Sequence, residues 1–197
     1  MRRGVKQSTK ANGHIRVISG LWRGRKISVL NAEGLRPTTD RTKETLFNWL
    51  APYLSESRCL DAFSGSGSLG IEALSRYASY CAFYEKEKAA CQQIRSNLEL
   101  LKVENDSYAV YHGDSLQLLQ TQTPNVPFDI IFIDPPFNKG LVDKVIPIID
   151  SKQLLSSEGI VYIETELVGT NYIVPDSWSL IKESQTKQLC YRLYQKN

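Results

Sequence analysis

From Arg58 onward the chain alternates short apolar runs with segments of helical spacing, and nothing else in it constrains the fold as much. Strand-like runs at 58–63, 80–85, 107–112, 128–133 and 159–165 are separated by helix-like segments at about 68–76, 87–101, 114–120 and 139–149. Strands joined through helices cannot pair as hairpins; each crossover returns the chain to the same edge, so the strands run parallel with helices on both faces. Trp178–Glu183 and Leu189–Tyr194 break the pattern, because only a turn separates them. They are expected to form an antiparallel hairpin at the sheet edge. The fold class is therefore α/β, with seven mostly parallel strands and an antiparallel C-terminal hairpin.

Ahead of the sheet, Ile15–Ser19 and Lys26–Leu30 flank a turn containing Gly20 and Gly24 and read as a small hairpin. A helix carrying Leu46, Phe47 and Leu50 on one face follows, with Thr and Asp residues placed to cap it. The expected division is a flexible basic arm over 1–13, a hairpin and helix over 14–55, and the sheet domain over 56–197.

The run Phe128–Ile133 ends in Asp134-Pro135-Pro136-Phe137. Two prolines cannot continue a ladder, so the tetrapeptide marks the carboxyl end of a buried strand, where open α/β sheets bind ligands. It offers a carboxylate, a carbonyl and an aromatic plate in one crevice. Those groups suit a planar amine.

The segment Asp61-Ala62-Phe63-Ser64-Gly65-Ser66-Gly67-Ser68-Leu69-Gly70 joins the first strand of the sheet domain to its helix, and Glu85 lies twenty residues after Gly65. The spacing fits a dinucleotide fingerprint: glycines for a tight turn and close approach, an acid for ribose hydroxyls. By itself it leaves a nicotinamide dinucleotide and S-adenosylmethionine both open. Asp61 would repel a pyrophosphate yet accept from an α-ammonium group, and Gly113-Asp114 ends the third strand with another acid suited to an adenine amine. Three acids at successive strand ends favour a cationic sulfonium ligand.

Charge is segregated. Residues 1–32 hold eight bases and no acid, whereas the other 165 residues carry a net −5. A basic arm on a mildly acidic domain is the electrostatic footprint of a nucleic-acid binder, and Trp22-Arg23-Gly24-Arg25-Lys26 interleaves a stacking ring with bases. Cys59, Cys81, Cys91 and Cys190 form no C-x-x-C pair and have no histidine at ligand spacing, so no metal site is expected. Reduced cysteines, no span-length apolar run and no apolar signal region lead to the expectation of a cytoplasmic protein without a membrane partner.

These motifs carry a resemblance. D-x-F-S-G-S-G-S-L-G, the Glu after the second strand, G-D after the third and D-P-P-F after the fourth resemble the successive motifs of class I S-adenosylmethionine-dependent methyltransferases. Arg16-Val17-Ile18-Ser19-Gly20-Leu21-Trp22-Arg23-Gly24-Arg25-Lys26, Leu35-Arg36-Pro37-Thr38-Thr39-Asp40-Arg41 and Lys43-Glu44-Thr45-Leu46-Phe47-Asn48-Trp49-Leu50 are closely similar to the N-terminus of the RsmD family of bacterial 16S ribosomal RNA guanine-N2 methyltransferases. The similarity runs from about residue 14 to the C-terminus. It implies a Rossmann-like class I methyltransferase fold and, as substrate, the exocyclic amine of a guanine of the position 966 type in 16S rRNA, within the small subunit or an assembly intermediate. The enzyme is expected to act as a monomer.

The resemblance implies that S-adenosylmethionine lies against Asp61, Phe63, Ser64, Gly65, Ser66, Gly67, Glu85, Lys86, Asp114 and Ser115. Arg36, Thr38 and Thr39 would close over its methionine end. Arg16, Trp22, Arg23, Arg25, Lys26, Pro136 and Phe137 would hold the RNA. In relatives the last hairpin often turns on glycine, where this chain has Thr186-Lys187-Gln188.

The catalytic groups expected from the chemistry are Asp134, Pro135 and Phe137. The lone pair of a purine amine is delocalised into the ring and must be freed by geometry. Acceptance of its hydrogens by the Asp134 carboxylate and the Pro135 carbonyl, with Phe137 stacked on the base, would do so. Three other readings use parts of the same sequence: an adenine-N6 methyltransferase of DNA, an NAD-dependent oxidoreductase, and a non-catalytic RNA-binding assembly protein.

Overall fold

A computed structural model describes residues 13–30, 40–167 and 171–197. Arg36, Thr38, Thr39 and the arm up to residue 12 lie outside these residues. The elements in chain order are β1 Gly13–Arg16, a 3-10 turn Gly20–Trp22, β2 Lys26–Val29, α1 Asp40–Leu54, β3 Arg58–Asp61, α2 Ser68–Ser75, β4 Tyr80–Glu85, α3 Lys88–Leu101, β5 Tyr108–His112, α4 Ser115–Thr121, β6 Phe128–Ile133, α5 Val142–Ser151, β7 Leu155–Glu166, β8 Trp178–Gln185 and β9 Leu189–Lys196.

β1 and β2 form a two-stranded sheet of their own, and the other seven strands lie in the order β5-β4-β3-β6-β7-β9-β8. Pairing is parallel from β5 to β7 and antiparallel for β7–β9 and β9–β8. Strand order reverses between β3 and β6, so a crevice opens at their carboxyl ends. The glycine loop and the D-P-P-F segment border it from the two sides.

One face of the sheet packs against α1, α2, α3 and the small hairpin through Phe47, Ile71, Ile94, Phe132, Tyr162 and Ile27. The other packs against α4 and α5 through Leu119, Ile131, Ile133, Ile146 and Ile149. Sandwiched between helices, β6 buries five of its six residues, which is why it reads as a continuous apolar run. β8 at the open edge pairs on one side only, with β9, and carries exposed Ser179, Leu180, Lys182 and Glu183, whose charges deter further pairing.

Several boundaries differ from the sequence-based expectation, each for a local reason. β3 stops at Asp61 because Ala62 and Phe63 already turn into the glycine loop. α5 begins at Val142 rather than 139, because Asn138 and Gly140 adopt φ of 58° and 56°, outside the helical region. β7 starts at Leu155, where a register irregularity between Phe128 and Ile130 interrupts its ladder with β6; polar Ser156–Glu158 hid that first stretch. The last hairpin needs no glycine. The Thr186 hydroxyl accepts from the amides of Gln188 (3.3 Å) and Leu189 (3.0 Å) and closes the turn.

Candidate active site

The glycine loop is held from both ends by acids. Asp61, 2% exposed, accepts from the Gly70 amide at 3.1 Å. Glu85 accepts from the Gly65 amide (2.6 Å) and from the Glu87 amide (2.7 Å), which fastens the end of β4 to the loop. Gly65 has φ of 51°, and a Cβ there would meet nothing within 4 Å, so its surface is open to a ligand. Gly70 differs: a Cβ there would press on Phe83 and on Cys81 Sγ (2.7 Å), so this glycine serves helix–strand packing. Asp114 caps α4, its Oδ1 accepting from Leu116 (3.0 Å) and Gln117 (3.3 Å), with Ser115 buried beside it. Lys86 is exposed next to Glu85.

Phe63, Ser64, Gly65, Ser66, Gly67, Glu85 and Asp114 thus gather at the carboxyl edge of β3, β4 and β5. An open glycine turn with acids at the two following strand ends fits a nucleoside whose methionine arm carries positive charge. The same edge of β6 presents Asp134 and Phe137 partly buried, Pro135 buried and Pro136 exposed.

β7 supplies residues that the sequence reading missed. In the β6–β7 register Ile133 faces Ile163, so the next residues, Asp134 and Glu164, are neighbours across the two strand ends. Glu164 is 3% exposed and accepts from the Tyr162 hydroxyl at 2.5 Å. Two residues on, the Glu166 carboxylate accepts from the Asn138 amide and secures the chain just after Phe137. Desolvation, then the neighbouring Glu164 charge, then Asp61, push the Asp134 carboxyl well above its ordinary value. Desolvation also raises Glu164, against the Tyr162 hydrogen bond. Asp61 itself is pushed up to about 7, chiefly by burial, with the Gly70 amide opposing. The run Glu164-Thr165-Glu166 at a strand end was the available signal; a buried acid beside Asp134 is costly to maintain.

A second missed group ties the N-terminal hairpin to the sheet. Glu72 of α2 is fully buried and accepts from the amides of Ile18 (2.8 Å) and Ser19 (3.0 Å) and from Arg76 Nε (2.8 Å). Buried Lys43 lies 3.6 Å from it and donates to the Arg16 carbonyl (2.8 Å) and to Ser68 Oγ (3.3 Å). Burial lowers the Lys43 pKa, with the Glu72 and Asp40 charges opposing. The signal was a lysine on the apolar face of α1, in step with Leu46, Phe47 and Leu50.

The expected RNA contacts are divided in space. Arg16 lies near Ser68 at the start of α2 and pairs with exposed Asp40 at 3.2 Å. The tip of the hairpin sits at the other end of that helix, where Ser75 Oγ accepts from the Trp22 amide (3.1 Å) and donates to the Ser19 carbonyl (2.6 Å). Arg25 reaches the Leu100 carbonyl at the end of α3 (3.3 Å). Because α2 and α3 run back from the catalytic edge, Trp22, Arg23 and Arg25 lie at the amino-terminal edge of the strands, away from Asp134. Lys26 is exposed opposite Arg16 in the hairpin. A surface depression lined by Tyr53, Glu56, Asp129, Ser156 and Glu158 also lies at that far edge and shares no residue with the site. Among the described residues, no helix is long and apolar enough to cross a membrane.

Known proteins sharpen this picture. The family described as conserved hypothetical protein 95 matches residues 15–195. Ribosomal RNA small subunit methyltransferase D of Haemophilus influenzae is 47% identical over 189 residues, covering 96% of this chain and 97% of that protein. Its Escherichia coli K12 namesake is 44% identical, covering 97% and 94%. A solved Escherichia coli structure described as a candidate methyltransferase superposes with a TM-score of 0.85 at 42% identity, covering 94% of this chain and 99% of that one. An O-methyltransferase from Streptomyces achromogenes, solved with its methyl donor, shares the fold at a TM-score of 0.64 and 14% identity, covering 81% of each. With similarity of this depth along nearly the whole chain, and with the motifs of both halves at the crevice between β3 and β6, the protein belongs to the RsmD family of ribosomal RNA methyltransferases.

Proposed function

We propose that this enzyme methylates the exocyclic N2 of a guanine of the position 966 type in 16S ribosomal RNA, with S-adenosylmethionine as methyl donor. The observation that carries the reading is the placement of Asp134-Pro135-Pro136-Phe137 directly across the crevice from the open glycine turn at Gly65. When bound, the donor supplies a methyl group activated on a positively charged sulfur. The protein's own work is on the amine. The Asp134 carboxylate and the Pro135 carbonyl accept its two hydrogens, turning the nitrogen lone pair toward the methyl group, and Phe137 holds the base plane. Glu85 and Asp114 orient the nucleoside half of the donor, while Arg36, Thr38 and Thr39 are assigned to its methionine half. A stacked guanine must first leave its stack, at a cost of a few kcal/mol that contacts from the basic hairpin help to offset. The site would operate in the cytoplasm on the small subunit or its precursor.

The test is transfer of labelled methyl from S-adenosylmethionine to small subunits lacking base methylation and, in parallel, to naked 16S RNA, with digestion to nucleosides. N2-methylguanosine is the expected product. N6-methyladenosine, or labelling of DNA in place of RNA, would overturn the reading.

A further inference from the structure

A polyanion that enters the crevice beside β6 meets acids: Asp134 beyond β6, and Glu164 and Glu166 on β7. Of the cations expected to hold RNA, Arg23 and Arg25 stand at the amino-terminal edge of the strands, and Arg16 is engaged by Asp40. Two exposed turns at the catalytic edge carry lysines. The first, Asn138-Lys139-Gly140, directly follows Phe137 and is left-handed at Asn138 and Gly140; the Glu166 carboxylate accepts from the Asn138 amide. The second is Thr186-Lys187-Gln188. β9 runs antiparallel to β7 with Leu189 opposite Glu166, so this turn lies at the same edge, and its Gln188 carbonyl accepts from the Leu167 amide at 3.2 Å. Two successive residues at the end of β7 thus hold both turns. β7 lies between β6 and β9, so the strands that lead into and out of these turns are two spacings, about 10 Å, apart. Lys139 and Lys187 are exposed, and among the described residues neither stands in an ion pair.

We infer, resting on the proposed RNA reading of the catalytic site, that Lys139 and Lys187 form a phosphate grip for the RNA strand that carries the target base, one lysine on each side of β7. Ammonium groups on flexible stems suit phosphate oxygens and read no sequence, which leaves the choice of base to Asp134-Pro135-Pro136-Phe137. Both turns are fixed by hydrogen bonds to the end of β7, so only the two side chains lose freedom when RNA binds. A glycine in the last hairpin would turn the chain equally well and bring no charge. Here the Thr186 hydroxyl closes the turn, and the tip is free to carry Lys187. The two cations also offset the carboxylates of this edge, past which the phosphates must come. The grip acts beside the reacting amine and the tip of the N-terminal hairpin acts several nucleotides away, so substrate length separates the two basic sites.

The experiment is a salt titration, by fluorescence anisotropy, of the full chain on a short RNA hairpin with the target guanine in its loop. It compares wild type, Lys139→Gln, Lys187→Gln and the double variant. Each single substitution should flatten the slope of log affinity against log salt by about 0.7, a loss of about fourfold at about 0.15 M salt if affinities agree at about 1 M. The double variant should lose about 1.4 in slope and about fourteenfold in affinity. Methyl-donor affinity and the maximal single-turnover rate at saturating RNA should stay at wild-type values, because a contact made equally before and during transfer does not change the chemical step. Both side chains are exposed, so urea midpoints should also match. Wild-type slope and affinity in the double variant would overturn the inference, as would a loss confined to one lysine or a weaker affinity at unchanged slope. The product nucleoside of the wild-type reaction tests the substrate separately. A product other than N2-methylguanosine, with the slopes reduced as expected, would overturn the guanine reading and leave the grip standing.

Discussion

In the proposed reaction Asp134 accepts a hydrogen bond from the amine and can take the proton released after methylation, and substitution separates the two. Asp134→Asn keeps an oxygen for the amine but cannot take its proton. Its single-turnover rate should fall by about 10²-fold and lose the acid limb seen in wild type, with methyl-donor affinity unchanged by calorimetry. Asp134→Ala removes both duties and should abolish transfer with donor binding intact. The sign of the limb follows from the raised Asp134 value: activity grows as pH rises through it, because the ionised form accepts the proton.

Asp61 makes a different demand, on stability. Burial pushes its carboxyl from an ordinary 3.8 up to about 7, so the native state binds the extra proton and unfolding free energy falls as pH rises between these values. The penalty is absent below about 4 and complete above about 7. Asp61→Asn should remove it, and urea unfolding from pH 4 to 8 should show the variant gaining on wild type by up to about 4 kcal/mol. Such residues show how much of the site could be read without coordinates. Asp61, Glu85, Asp114 and Asp134 all announced themselves as acids at strand ends. Their partners in the fold, Gly70, Gly65 and the first turn of α4, are set by loop geometry that spacing alone does not contain. Glu164 was readable as a residue but not as a neighbour, since its place beside Asp134 depends on the β6–β7 register.

At the scale of elements, strand and helix types followed from periodicity, and so did the antiparallel final pair. Periodicity could not reveal that α2 is a docking post. A helix buried along its whole length, from Leu69 to Ser75, shows no polar face, and Glu72 looks misplaced until the amides of Ile18 and Ser19 are seen to end on it. Gly20, with φ of 80°, lies so close to the Ser75 carbonyl that a Cβ would collide with it. The hairpin is therefore seated on the middle and the carboxyl end of one helix. Glu72→Gln leaves buried Lys43 and Arg76 without their counter-charge and should cost about 3 kcal/mol or more in urea unfolding. Hydrogen exchange should quicken most at the Ile18 and Ser19 amides, whose acceptor carries less charge, while β5 and α4 on the far side of the sheet stay protected.

Across the whole molecule, the tip of the basic hairpin and the Asp134 carboxyl stand at opposite edges of the strands, separated by about the length of α2. Eight residues at about 1.5 Å each make that roughly 12 Å. A substrate that meets both must run along the outer face of α2 and α3, so the tip reads phosphates several nucleotides from the target base and contributes no chemistry. Loss of Arg23 and Arg25 together should then weaken RNA binding, and it should flatten the slope of log affinity against log salt by about 1.4 if each contacts one phosphate of a single strand. The maximal single-turnover rate at saturating RNA should not change, nor should methyl-donor affinity. Substrate length supplies the sharper test. A short RNA hairpin that fills only the catalytic edge should bind wild type and the double variant equally, whereas whole 16S RNA should separate them. Equal losses on both substrates would place the tip next to the reacting base, against the seating of Trp22 on Ser75 and of Arg25 on Leu100.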